Sequence, residues 1–231
     1  MFEGLDGLVL LNLSRNAVSS HLLSANTFVG LASLKILDLS HNQITKIEAT
    51  TFSLVGQLQV LHLHYNKIHT VAAGGFGRLG SLMVLTLSHN RLENVTGDSF
   101  GGSDGGGLGE MTSLSLDHNL ITELEIGSDK PMNKLTDLAM NSNRLRKVPQ
   151  FLRSLPELKT LDLGDNAISE VGDGDLQGLG GLYGLRLAGN RISSIGNATF
   201  AHVKSVHILN LAHNKVGLHE VPHYYGFYTG N

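Results

Sequence analysis

Leucines and one asparagine recur along the chain in a fixed internal order. The segments LVLLNLSRNAV (8–18), LKILDLSHNQI (34–44), LQVLHLHYNKI (58–68), LMVLTLSHNRL (82–92) and MTSLSLDHNLI (111–121) align without a gap. LTDLAMNSNRL (135–145), LKTLDLGDNAI (158–168), LYGLRLAGNRI (182–192) and VHILNLAHNKV (206–216) continue the series. All nine follow L-x-x-L-x-L-x-x-N-x-(I/L/V), with Met or Val standing in for a leucine. The ninth position is always Asn: Asn16, Asn42, Asn66, Asn90, Asn119, Asn143, Asn166, Asn190 and Asn214. Successive asparagines lie 26, 24, 24, 29, 24, 23, 24 and 24 residues apart. In x-L-x-L the side chains alternate faces. The pattern therefore predicts one short strand per repeat, with leucines inward and the intervening residues outward.

One such repeat cannot bury its own leucines, but stacked neighbours can. The expected fold class is α/β, a leucine-rich-repeat solenoid. It is a right-handed curved superhelix with a parallel β-sheet on the concave face and short, irregular helical turns on the convex side. Each Asn should turn inward where the chain leaves the strand and satisfy backbone groups of adjacent turns. Phe28, Phe52, Phe76, Phe100 and Phe200, with Leu176 substituting once, precede the next repeat and predict a stacked convex spine. The array covers residues 1–218, and nine strands at about 4.8 Å each extend about 43 Å. Phe2 and Leu5 stand to Leu8 as Phe28 and Leu31 stand to Leu34, so FEGL (2–5) resembles the tail of an earlier repeat. The tail HEVPHYYGFYTGN (219–231) leaves the pattern and is expected to be disordered. With neither end capped, the isolated chain is expected to fray or aggregate.

Composition narrows the function classes. The net charge of −3 offers no basic surface for nucleic acid or an anionic membrane. No apolar run approaches the roughly 18–20 residues that span a bilayer, and MFEGLDGLVLLNL has no basic start or cleavage site of a signal peptide. The 231 residues include no cysteine, which removes thiol catalysis, thiolate metal sites and disulfides.

GGSDG (101–105) matches G-x-S-x-G, the string that presents a nucleophilic serine on a strand-to-helix elbow. Here four glycines follow within six residues of Ser103, at 105, 106, 107 and 109, and cannot sustain a helix. No G-K-[S/T] accompanies them, so a phosphate loop fails as well. The stretch is an insertion within the 29-residue spacing and is expected to project from the rim, so that deleting 102–106 leaves folding intact. GDGDLQG (172–178) lacks a Glu at the twelfth loop position and is expected to be an acidic return loop, not a calcium loop. No set of catalytic residues or metal ligands converges by spacing, so no enzyme activity, cofactor or metal is expected.

The outward strand positions form the candidate partner surface. Asp38, His62, Thr86, Ser115, Asp162 and Arg186 fall in one column, and Ser40, His64, Ser88, Asp117 and Asn141 in the next. His41, Tyr65, His89 and His118 occupy a third, just before the recurring Asn. A histidine stripe suits a metal ion or a pH response; a tolerated polar residue beside the Asn is the simpler reading. Tyr65 and Tyr183 are the only tyrosines near the strands, and no aromatic cluster marks a binding hot spot. Asn12, Asn94 and Asn197 head N-x-[S/T] sequons. Asn94 and Asn197 have room for a glycan, whereas one at Asn12 would stand on the concave sheet.

NTFVGLASLKILDLSHNQITKI (26–47), NRLRKVPQFLRSLPELKTLDLGDNAISEV (143–171) and GLGGLYGLRLAGNRISSI (178–195) resemble the ectodomain of arthropod Toll receptors, in particular the Tollo-like class with long ectodomains. The likeness covers roughly residues 1–218. It implies an extracellular array of a type I membrane receptor that binds a protein ligand or another receptor, as a homo- or hetero-dimer, in innate immune or developmental signalling. The cysteine-rich caps, the membrane helix and the cytoplasmic TIR domain of that family are not in this sequence. The expectation is an internal segment of a larger receptor, placed outside the plasma membrane through parts outside this chain. A secreted adhesion protein and an intracellular scaffold share the same fold and remain alternatives.

Overall fold

A computed structural model of the chain describes residues 2–101, 107–126 and 132–217. The tail 219–231 and residues 102–106, the core of the glycine-rich insertion, lie outside them.

Nine three-residue strands form one parallel sheet, each paired with the next in chain order. They are Leu10–Asn12, Ile36–Asp38, Val60–His62, Val84–Thr86, Ser113–Ser115, Asp137–Ala139, Thr160–Asp162, Gly184–Arg186 and Ile208–Asn210. The register never slips: Leu11, Leu37, Leu61, Leu85, Leu114, Leu138, Leu161, Leu185 and Leu209 are partners across the sheet. A one-residue slip would turn every inward leucine outward, so the apolar pattern enforces the register. Among the described residues, the chain returns through turns, one four-residue α-helix (Gly97–Phe100) and short 3₁₀ segments (Ser20–Leu22, Gln150–Ser154 and Thr199–His202).

The Phe spine exists as expected. Phe28, Phe52, Phe76 and Phe100 stack in sequence with centroids 6.0, 6.2 and 6.0 Å apart. On the strand side, rings one repeat apart lie only 4.1–4.5 Å apart. The same one-repeat step is shorter on the sheet side than behind it, so the array curves with the sheet inside.

From Asn42 to Asn214 each recurring Asn acts as a staple to the preceding turn. Asn90 donates through Nδ2 to the carbonyls of Leu87 and Leu63, both at 3.0 Å, while its Oδ1 accepts the Ile68 N–H at 2.9 Å. The Leu87 carbonyl then also accepts from Asn119, and the Leu63 carbonyl from Asn66. Both lone pairs of each inward carbonyl are thus used by consecutive asparagines. Gly30 shows how closely turns approach elsewhere. Its φ is +89°, and a Cβ there would sit 2.6 Å from the Phe2 carbonyl oxygen, so only glycine fits. The Phe2–Leu5 turn repeats the Phe28–Leu31 hydrogen bond, which matches their reading as equivalent positions.

The core is a continuous column of inward Leu, Ile, Val and Phe. In the first and last turns it opens: Leu11, Leu13, Leu209 and Leu211 are half-buried, whereas Leu37, Leu39, Leu185 and Leu187 are buried.

Two asparagine substitutions separate the staple from general packing. Asn90→Leu leaves the Ile68 N–H unpaired and should cost at least about 1–3 kcal/mol in urea unfolding. Asn16 is exposed and bonds only to Leu13 and Ser14 of its own turn. Asn16→Leu should therefore shift stability by about 0.5 kcal/mol or less. Equal losses at the two positions would rule out the inter-turn bond as the source.

Candidate functional site

The outward columns lie where the repeat spacing puts them. Asn12, Asp38, His62, Thr86, Ser115, Ala139, Asp162, Arg186 and Asn210 are register partners across the sheet. Several side chains of this column and the next brace the exit from the strand. Asp38 Oδ1 accepts the Ser40 N–H, and Asp162 Oδ1 accepts the Gly164 N–H. Ser115 Oγ donates to Asp117 Oδ1, and Asn141 Nδ2 to Ser142 Oγ at 3.4 Å. His62 and His64 both turn Nδ1 to the Thr86 hydroxyl, at 3.1 and 3.0 Å.

The third column carries a feature that the residue types alone did not suggest. His41, Tyr65, His89 and His118 stack as a continuous ladder, with centroids 4.5, 4.1 and 4.1 Å apart and planes within 11°, 8° and 23°. The expectation of no aromatic cluster is corrected here. Imidazoles complete a stack around the single tyrosine, and strand spacing of about 4.8 Å brings any ring-bearing column into contact. All four residues have left-handed backbone, φ 52–54°. Bulky residues rarely adopt it. Each is held there by its N–H, which donates to the next repeat: Tyr65 to the Ser88 carbonyl and His89 to the Asp117 carbonyl, both at 3.0 Å. His64 adds edge-on contacts to His41, His62 and Tyr65 at 5.7–5.8 Å. Tyr65 is 47% exposed, so the ladder presents ring surface to solvent.

The other half of the concave face differs. Ala139 and Gly184 leave a hollow of about 420 Å³, lined by Asp137, Thr160, Asp162, Tyr183 and Arg186 among others. Arg186 and Asp162 approach to 3.5 Å, and Tyr183 stacks on His207 at 4.8 Å.

The remaining sequence candidates are spread over the surface. Asn94 lies exposed on a short strand (Asn94–Thr96) that pairs with Glu123–Glu125. Asn197 is also exposed, but Thr199 of its sequon is buried and donates to the Val171 carbonyl. Asn12 stands on the concave sheet as expected, with Ser14 donating to its Oδ1. In the acidic return loop, Asp173 accepts the Ala198 N–H and Asp175 the Gly172 N–H, so both carboxylates serve the backbone.

Two ladder-side histidines have pKa values pushed below the usual 6.5. Burial lowers that of His64, helped by His62, His41 and His89 and opposed by Asp38. Burial also lowers that of His89, helped by His118 and His41 and opposed by Asp117. A histidine that resists protonation when folded lets the unfolded chain take the proton first. Stability contributed by these groups is complete above 6.5 and falls as pH drops below it. NMR titration should give midpoints below 6.5 for His64 and His89. The melting temperature should fall on going from about pH 7.5 to about 5.5, and less steeply in His89→Asn. Midpoints at or above the ordinary value would refute this.

Comparison with known proteins agrees with this geometry. The family model described as "Leucine rich repeat" matches residues 1–44, 21–67, 34–92, 56–104, 109–168 and 133–191. Asporin of Bos taurus is 33% identical over 66 residues, 29% of this chain and 18% of asporin. Human "Leucine-rich repeats and immunoglobulin-like domains protein 3" is 36% identical over 74 residues, 32% of this chain and 7% of that protein. The chain thus spans less than a fifth of either relative. An internalin C2 from Listeria monocytogenes superposes with a TM-score of 0.71 at 25% identity, covering 90% of this chain and 82% of that one. The TLR13 chain of a TLR13–ssRNA13 complex superposes at 0.63 and 23% identity, covering 92% of this chain and 26% of that one, a likeness of fold. Repeat spacing, parallel sheet, asparagine staple and family match coincide: the chain belongs to the leucine-rich repeat family.

Proposed function

We propose that this chain is a protein-binding segment of a Toll-type receptor ectodomain, and that its concave face receives the partner. The observation that carries the reading is the ladder His41–Tyr65–His89–His118. It offers half-exposed rings beside the polar outward residues Asp38, His62, His64 and Thr86. Aromatic anchors ringed by polar side chains are what protein partners bury at hot spots. Asp38, His62, His64, Thr86 and Asp117 supply that polar surround, and Asp162 and Arg186 extend the contact along the sheet. The partner is a protein ligand or another receptor, with homo- or hetero-dimerisation as the signalling step. The Toll-type assignment draws on the sequence resemblance, supported by the fold likeness to TLR13. The relatives asporin and the immunoglobulin-like-domain protein keep a second reading in play, a secreted adhesion protein with the same concave site.

Photo-crosslinking residues at positions 65 and 186 should trap a discrete protein in the source organism's membranes or extracellular fluid. Probes at the exposed return-path positions 53 and 177 should not. Equal labelling from both faces would defeat the concave-face reading. Reading the transcript outward decides between the two settings. An apolar helix followed by a TIR-coding region supports the receptor, and a secreted product without either supports adhesion. In both settings Asn94→Gln should remove one glycan from the natural protein, since both place Asn94 in the secretory route. An unmodified Asn94 and Asn197 would count against any extracellular reading.

A further inference from the structure

Spacing along the sequence brings no metal ligands together, yet the fold does. His89, Asp117 and His118 each offer a ligand atom, and these atoms lie within 4.8 Å of one another. Three constraints place them. His89 and His118 occupy the same left-handed position in successive repeats, with φ of 52° and 53°. The His89 N–H donates to the Asp117 carbonyl at 3.0 Å, which ties the two backbones together. Ser115 Oγ donates to Asp117 Oδ1, leaving Oδ2 facing His118 Nδ1 at 3.0 Å. His89 and Asp117 are half-buried, whereas His118 is exposed, so the site opens to solvent on one side.

The donor set has a definite chemistry. Two imidazole nitrogens and one carboxylate oxygen suit a borderline divalent transition ion and suit calcium or magnesium poorly. Neutral imidazole is the form that ligates. We propose that His89, Asp117 and His118 bind a zinc-class ion as three protein ligands, leaving the outward position for water or a donor from a bound partner. Donors around one tetrahedral zinc stand about 3.4 Å apart, so the cluster must close slightly. The ring planes also lie only 23° from parallel. Lone pairs in parallel planes cannot meet at one ion, so binding swings at least one imidazole out of the stack. Exposed His118 has the freedom to do so. The neighbouring pair His62 and His64 is the weaker set, because both Nδ1 atoms already face the Thr86 hydroxyl.

The test uses the metal-stripped 231-residue chain, free of any polyhistidine tag, and zinc chloride alone. Its outcome therefore does not depend on whether a protein partner exists. Calorimetry should show one saturable site per chain. His89→Asn, Asp117→Asn and His118→Asn should each weaken it by about tenfold or more, while His62→Asn changes it less than about twofold. Asn is chosen at 89 and 118 because it tolerates left-handed backbone. In the unaltered chain, zinc should shift the ring resonances of His89 and His118 and leave those of His202 and His207 in place. That readout stands even if a variant fails to fold. No saturable binding up to about millimolar zinc would overturn the proposal. So would binding that survives His118→Asn, or resonance shifts confined to His62 and His64.

Discussion

The inner turns of this molecule depend on a buried or half-buried side-chain amide. A leucine pointing into the solenoid carries its backbone carbonyl to a place that no water reaches, and that carbonyl has two lone pairs to satisfy. Consecutive asparagines take one each. The Met140 carbonyl receives Asn143 and Asn166, and the Leu163 carbonyl receives Asn166 and Asn190. The oxygens of the same amides accept the N–H of the apolar residue two past the Asn of the previous repeat, as Asn166 Oδ1 does for Leu145. The staple binds nearest neighbours only. The array is accordingly held by a repeated local bond and by the leucine column it encloses, with no contact between distant turns required.

That constraint also makes the surface. The residue before each Asn must adopt left-handed backbone so that the amide can turn inward, and this puts its side chain on the concave rim. Seen this way, Arg15, His41, Tyr65, His89, His118, Ser142, Asp165, Gly189 and His213 are one structural position filled nine times by six residue types. Four successive occupants carry rings. Curvature then compresses the concave side, so the rings meet at stacking distance, while the phenylalanines on the opposite side stand about 6 Å apart. The ladder follows from an Asn-driven backbone, a strand spacing and ring-bearing residues in four successive repeats.

The two halves of the concave face have different chemistry as a result. Rings and imidazoles dominate from His41 to His118. From Asp137 to Arg186 small residues leave a hollow instead, bordered by the opposite charges of Asp162 and Arg186. A partner that lies along the sheet meets an aromatic anchor at one end and a charged, open seat at the other. Among the described residues no helix is long and apolar enough to cross a membrane, and the matched family is an interaction scaffold.

Most of the fold was legible in the sequence because a solenoid has almost no long-range folding information to hide. The nine strands, their faces and register, the Asn staples and the Phe spine all follow from one repeated string, since each turn touches only its neighbours. Columns of outward residues were legible for the same reason, down to His62 above Thr86. The tertiary structure alone decided what those columns do to one another. Curvature, left-handed backbone at His41, Tyr65, His89 and His118, and rotamer choice are collective results that no residue encodes singly. They turned a stripe read as tolerated polar residues into a stacked ladder, and they brought Asp117 to His89, a residue 28 positions away in the chain.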